Sequence, residues 1–90
     1  MRLPTLAEIR EASTVVYQAM GPTPQYTWPL LNDRLGTEIW IKHENHTPVG
    51  AFKIRGALVY FRWLKQSGSN VRTVITATRG NHGQAVAFAA

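Results

Sequence analysis

Residues 71 to 83 read VRTVITATRGNHG. A run dominated by β-branched side chains leads into a turn holding two glycines, and helix-favouring residues follow as far as Ala90. β-Branched side chains suit a pleated, half-buried surface, and glycine permits the tight passage from strand to helix. The same switch occurs upstream. In TEIWIKHE, Ile39 and Ile41 alternate with Trp40 and Lys42; after PVGAFK comes a helical stripe of Ile54, Ala57, Leu58, Phe61 and Leu64. Strands that alternate with helices are joined by right-handed crossovers. The pattern therefore predicts an α/β, three-layer fold: a parallel sheet covered by helices, with ligands beyond the carboxyl ends of the strands. The glycine turns around Gly50 and Gly80 both fall at such ends.

Ahead of these units, Thr5 and Glu8 fit a capping box, and Leu6, Ile9, Ala12, Val16 and Ala19 recur at helical spacing. A helix is predicted from about residue 5 to 20, ended by Gly21, Pro22 and Pro24. GPTPQYTWPLLNDRLG reads as an irregular connection with a short helical turn around Leu30 to Arg34. The helix after Phe52 is expected to close at QSGSN, with Gly68 at its C-cap. Ninety residues bury only roughly 60 to 65% of their unfolded surface, so a single core would be marginal. The final residues carry no glycine, proline or cationic ending. Residues 1–90 are thus expected to be the N-terminal portion of a longer fold, stopping within a helix and containing no second complete domain.

Ten Lys and Arg oppose five Asp and Glu, for a net charge of +5, and no acidic residue follows Glu44. Such a basic half attracts anions: nucleic acid, a phosphorylated cofactor or a carboxylate substrate. Because the basic residues alternate with apolar ones and form no run, a nucleic-acid surface is disfavoured. There is no cysteine for a disulfide framework, no apolar stretch suited to a signal peptide, and no run near the roughly 20 apolar residues of a membrane span. The expectation is a cytoplasmic protein with neither nucleic-acid nor membrane partner.

Two turns can carry chemistry. TRGNHGQA, residues 78 to 85, would open a helix whose unpaired N–H groups and partial positive charge suit a carboxylate or phosphate. Asn81 can cap that helix or lend its amide to a ligand oxygen. The turn lacks both the dinucleotide fingerprint and the P-loop ending, so taken alone it reads first as a plain capped helix. Lys53, in PVGAFKIRGA, can be an ordinary surface charge whose stem covers apolar neighbours. Its predicted place in the first turn of a helix argues otherwise: the macrodipole disfavours a positive charge there, and Phe52 and Ile54 are expected to desolvate it further. A neutral amine is the nucleophile that condenses with a carbonyl cofactor.

The histidines do not suggest a metal. HENH separates His43 and His46 by three, one residue short of the H-E-x-x-H spacing, and leads into a proline turn. His82 reads as a hydrogen-bonding residue and Arg55 as an exposed one.

Together, KHENHTPVGAFKIRGA and TATRGNHGQAVAFAA resemble the N-terminal part of the threonine and serine dehydratases, members of the fold type II family of pyridoxal-phosphate enzymes related to the tryptophan synthase β subunit. The similarity covers nearly all of the chain. It implies that Lys53 holds pyridoxal 5'-phosphate as an internal aldimine and then serves as base or acid at the substrate α-carbon. It also implies that Phe52 packs beside the cofactor ring and that Asn81 bonds the 3'-oxygen. The loop of Thr78, Arg79, Gly80, Asn81 and His82 would receive the carboxylate of a small amino-acid substrate. The implied reaction removes the α-proton, expels the β-hydroxyl and releases an enamine that hydrolyses to a 2-oxo acid and ammonia. A homodimer or higher homo-oligomer is implied as well.

The chain departs from the family pattern at several positions. The usual Thr-Gly-Ser-Phe-Lys is Val49-Gly50-Ala51-Phe52-Lys53, and the common upstream glutamine is Thr47. Arg79 stands where related serine racemases carry a serine that acts as second acid or base, which disfavours racemisation. Arg79 is expected instead to pair with a substrate carboxylate or with an acid elsewhere in the protein. The family's phosphate loop and its partner for the pyridine nitrogen lie further along, so these residues alone are not expected to be active. An eliminase of another small amino acid, of hydroxyaspartate or diaminobutyrate type, is the nearest alternative; a non-catalytic anion- or nucleic-acid-binding module is the more distant one.

Overall fold

The computed structural model describes residues 2–90. Helix α1 spans Leu6–Ala19 and begins with the anticipated capping box. The Thr5 hydroxyl accepts the Glu8 N–H at 3.3 Å, and the Glu8 carboxylate accepts the Thr5 N–H at 2.7 Å. A cap of this kind stabilises a helix by about 1 kcal/mol. Strand β1 (Gln25–Thr27), helix α2 (Pro29–Leu35) and strand β2 (Trp40–Lys42) follow, then a 3₁₀ turn at Glu44–His46. Helix α3 (Lys53–Gln66) and helix α4 (Asn81–Ala89) complete the chain.

Helix α3 is the centre of the packing, with α1 and α4 both laid against it. Val16 and Met20 from the end of α1, Ile54 from α3 and Ala85 from α4 are buried together, and Val49, Ala57, Leu58 and Val59 pack around them. Ile54 is wholly buried, a contribution of roughly 2 to 3 kcal/mol. It immediately follows Lys53, so the core anchors the helix at the end where the candidate nucleophile stands. The radius of gyration is 16.3 Å, against about 12 Å for a compact unit of this length, and many large apolar side chains lie outside the core.

The sheet differs from the expected parallel one. Among the described residues it has two strands, β1 and β2, paired antiparallel with Tyr26 opposite Ile41. Strand β1 lies in the stretch read as irregular. It is three residues long between Pro24 and Pro29, too short to show a period, and it exists because β2 lies beside it. The VRTVITAT segment forms neither helix nor strand among the described residues, and Ile75 is 98% exposed. β-Branched composition sets a pleated backbone, whereas a strand also needs a neighbour for its N–H and C=O groups; here β1 and β2 supply that only to each other. The helices α1 and α3 lie where the spacing put them and α2 contains the short turn; the C-cap of α3 is Ser67, and Gly68, expected at that cap, stands one residue beyond it with φ +71°. Among the described residues no helix is long and apolar enough to cross a membrane.

Candidate functional site

The approach to α3 is organised by Thr47, which is buried. Its hydroxyl accepts the Ala51 N–H at 2.9 Å and donates to the Ala51 carbonyl at 2.8 Å, while its own carbonyl accepts the Gly50 N–H at 2.9 Å. Gly50 turns with φ +68°, a conformation that side chains disfavour. This pinned loop delivers Phe52 to the helix N-cap and Lys53 to the first helical position, as the sequence predicted. The expected desolvation is not supplied by the two neighbours. Ile54 points into the core, and Phe52 is 63% exposed, because consecutive helical residues diverge by about 100° around the axis.

The second turn is a capped helix start, but Asn81 is not the cap. Asn81 is the first residue of α4 but forms no capping bond. The cap is Thr78: its hydroxyl accepts the Gly80 N–H at 3.1 Å and the Gly83 N–H at 2.8 Å. A threonine three residues ahead of Asn81 thus satisfies donors that an anion or Asn81 would otherwise meet, leaving the Asn81 amide unused by the helix. Gly80 has φ +151°, open only to glycine at low cost, and a Cβ on Gly83 would lie 2.5 Å from the Thr78 Cγ2.

The two turns meet at one groove of ≈ 530 Å³ between α3 and α4. Phe52, Lys53, Gly56 and Tyr60 line one wall, and Ile75 and His82 stand on the other. The His82 Nε2 and the Thr76 hydroxyl are 3.0 Å apart, so His82 is hydrogen-bonded as expected. Of the residues singled out from sequence, Phe52, Lys53 and His82 share the groove. Thr78, Arg79, Gly80 and Asn81 are exposed at the turn beside it and do not line it. Arg79 pairs with no carboxylate among the described residues.

Sequence reasoning missed a cluster behind Lys53. Arg55, expected to be exposed, forms parallel bonds to Glu44: Nε to Oε2 at 2.7 Å and Nη2 to Oε1 at 2.9 Å. The buried Thr23 donates its hydroxyl to the same carboxylate at 2.6 Å, and the guanidinium lies 5.7 Å from the centre of the Tyr17 ring. The partners are 11 and 32 residues from Arg55 in sequence, and no local spacing signals them. Bonds from Arg55, outweighing partial burial, hold the Glu44 carboxyl down at about 2. A depressed carboxyl pKa contributes stability that is complete above the unfolded value of 4.5 and is lost as pH falls through the folded one. Acid titration of the protein's unfolding is expected to show a loss of roughly 1 to 2 kcal/mol from this pair between those limits, allowing for solvent screening. Glu44→Gln should remove that component from the profile.

His43 is held at the other side of the 3₁₀ turn, accepting the Trp28 indole N–H at 3.2 Å. Among the described residues no group of three or more His, Cys, Asp or Glu is placed to hold a metal ion.

A primary amine on one wall of a largely apolar groove, with a glycine-bounded helix start beside it, suits a flat carbonyl compound bearing anionic groups. Residues 16–90 match the family described as pyridoxal-phosphate dependent enzymes, and the chain belongs to that family. It is 40% identical over all 90 residues to the L-threo-3-hydroxyaspartate ammonia-lyase of Saccharomyces cerevisiae, spanning 27% of that protein. It is 39% identical over 89 residues, 97% of this chain and 17% of the relative, to a biosynthetic L-threonine dehydratase of Pasteurella multocida. It is 35% identical over 88 residues, 98% of this chain and 27% of the relative, to the serine racemase of Schizosaccharomyces pombe. The chain therefore spans about a quarter or less of the length of these relatives.

The groove fits the aldehyde and ring end of the family's cofactor. Lys53 presents the only amine on its lining among the described residues, and Gly56 carries no side chain on the same wall, with nothing within 4 Å of where its Cβ would stand. Phe52, Tyr60 and Ile75 offer apolar surface to a ring, and the exposed Asn81 amide offers a donor and an acceptor at the neighbouring turn.

Proposed function

We propose that residues 1–90 are the N-terminal portion of a pyridoxal-phosphate-dependent ammonia-lyase that converts a β-hydroxy amino acid, threonine or serine, to a 2-oxo acid and ammonia. The observation that carries this reading is the opening of Lys53, at the first position of α3, onto the groove bordered by the Thr78–Gly83 turn. In this reading Lys53 is the attachment point of the cofactor and moves the proton at the substrate α-carbon. Phe52 packs beside the ring, and Asn81 bonds the ring oxygen. Thr78, Arg79, Gly80, Asn81 and His82 form the turn that receives the substrate carboxylate, with the Thr78 hydroxyl holding the turn's shape. Bound pyridoxal phosphate supplies the electron sink for loss of the α-proton. The remainder of the protein supplies the phosphate loop and the strands that pair with the 71–78 segment in a three-layer parallel sheet, and the whole assembles as a homodimer or higher homo-oligomer.

The test is to mix the complete protein with pyridoxal phosphate, reduce it with borohydride and map the modified peptide. Label on Lys53, together with 2-oxo acid release from threonine or serine, is the expected result. Label on another lysine, or none, overturns the assignment.

A second substrate, a β-hydroxy amino acid with an additional carboxylate such as 3-hydroxyaspartate, is supported by two observations. Arg79 has no acidic partner among the described residues, and the yeast relative is named for that substrate. A charge-assisted pair with a second carboxylate would be lost in Arg79→Ala. The preference for 3-hydroxyaspartate over threonine, as a ratio of kcat/KM values, would then fall roughly 10-fold or more. An unchanged ratio rules this substrate role out.

A further inference from the structure

We infer that Arg55, clamped by Glu44 and Thr23, is a positioning residue that sets where the Lys53 amine stands. The inference rests on the reading of Lys53 as the cofactor attachment point.

Lys53 is exposed, and its side chain makes no hydrogen bond among the described residues that would hold it in place. Its position is therefore inherited from the backbone on either side. On one side is the loop from Thr47 to Phe52, which contains a glycine at φ +68° and is short of regular structure. On the other side are Ile54 and Arg55. Ile54 lies in the core, which fixes the depth of the first turn. Arg55 fixes its rotation and its distance from the preceding turn: its N–H bonds the Phe52 carbonyl at 3.1 Å, while its guanidinium grips Glu44 through two bonds.

Glu44 precedes the loop and Arg55 follows it, so the ion pair staples the loop closed across 11 residues. Thr23 completes the clamp from the segment after α1, donating to Glu44 at 2.6 Å and accepting from Arg55 Nη2 at 3.3 Å. Both charged side chains are about three-quarters shielded, with 25% and 21% of their surface exposed, so the fork geometry is less open to water than an ordinary surface pair. Planar, two-bond pairing restrains direction as well as distance, which a lysine at position 55 could not reproduce. A shift of about 1 Å at a reacting group can lower a rate roughly 100-fold.

The experiment compares Arg55→Met, Arg55→Lys and Thr23→Val with the wild type, all as the complete protein. One readout, taken without cofactor, is hydrogen exchange of the backbone amides of residues 47–56 against those of α1 and α4. The other is the rate at which Lys53 becomes trappable by borohydride after pyridoxal phosphate is added. In Arg55→Met, exchange in 47–56 should rise about 10-fold or more, with α1 and α4 within roughly twofold of wild type, and trapping at Lys53 should slow roughly 10- to 100-fold. Arg55→Lys should lie between the two, and the near-isosteric Thr23→Val, which keeps the ion pair, should slow trapping by roughly two- to fivefold.

Trapping at the wild-type rate in Arg55→Met overturns the inference, as does exchange that quickens equally in every helix. If Arg55→Met does not fold, Thr23→Val decides by the same readouts. A wild-type protein that traps cofactor elsewhere than Lys53 strikes the functional reading, and the exchange data still judge whether the clamp holds this turn.

Discussion

Lys53→Ala in the complete protein is expected to eliminate borohydride-trapped cofactor at this position and to lower 2-oxo acid release by roughly 1,000-fold or more. A positioned proton-transfer group alone contributes about 100- to 10,000-fold, and the covalent attachment is lost with it. The fold should hardly notice. Lys53 is exposed, lies outside the core and makes no side-chain hydrogen bond among the described residues, so the melting transition should stay within about 0.5 kcal/mol of wild type. Lys53→Arg separates charge from nucleophilicity: it keeps the cation at the groove but offers no amine that can condense, and it should be as inactive as the alanine variant. Substantial activity in either variant would mean that Lys53 is only a surface charge at a helix start.

Gly83→Ala should show the second largest effect, and through packing. The added Cβ meets the Thr78 Cγ2 at 2.5 Å, with the Thr78 Cβ and Oγ1 both at 3.3 Å. Thr78 cannot retreat freely, because its hydroxyl accepts the Gly80 and Gly83 N–H groups and so holds the start of α4. Relief requires either the turn or the cap to give way, at about 1 to 3 kcal/mol. The turn bordering the groove should shift with it, raising the substrate KM. Thr78→Ser removes the offending methyl and keeps the hydroxyl, so the Thr78→Ser/Gly83→Ala double variant should regain part of the loss. Thr78→Val, which keeps the bulk and removes the cap, should lose about 1 kcal/mol with Gly83 intact. Equal melting of Gly83→Ala and wild type would show that α4 does not need this close approach.

Much of the local structure is legible in the residues themselves. The capping box of Thr5 and Glu8, the stripes of α1 and α3 and the glycine after α3 are patterns within one turn or one helix, and such patterns act through nearest neighbours. The placement of Lys53 at a helix start is local in the same way. The strands were less legible. VRTVITAT has the composition of a strand, yet pairing depends on what lies alongside, and β1 was invisible because only β2 makes it a strand.

Within the candidate site, Lys53 and the glycine turn could be named from sequence, and the groove that Lys53 lines beside that turn could not. The groove depends on how α4 lies against α3, which Ile54 and Ala85 decide by meeting in the core. Which residue caps α4 was hidden for a similar reason. Asn81 stands nearest the helix start in sequence, but the backbone at Gly80 turns so that Thr78 faces the free N–H groups. By itself, the sequence determined the helices, the amine at the head of α3 and the positive charge of the second half, because these follow from neighbouring residues and composition. Only the tertiary structure decided that Phe52, Lys53 and His82 face one groove and that Thr23, Glu44 and Arg55 close the loop before it. Contacts between residues 11 to 32 positions apart follow from the packing of α3 with its neighbours, which no short stretch of the chain encodes alone.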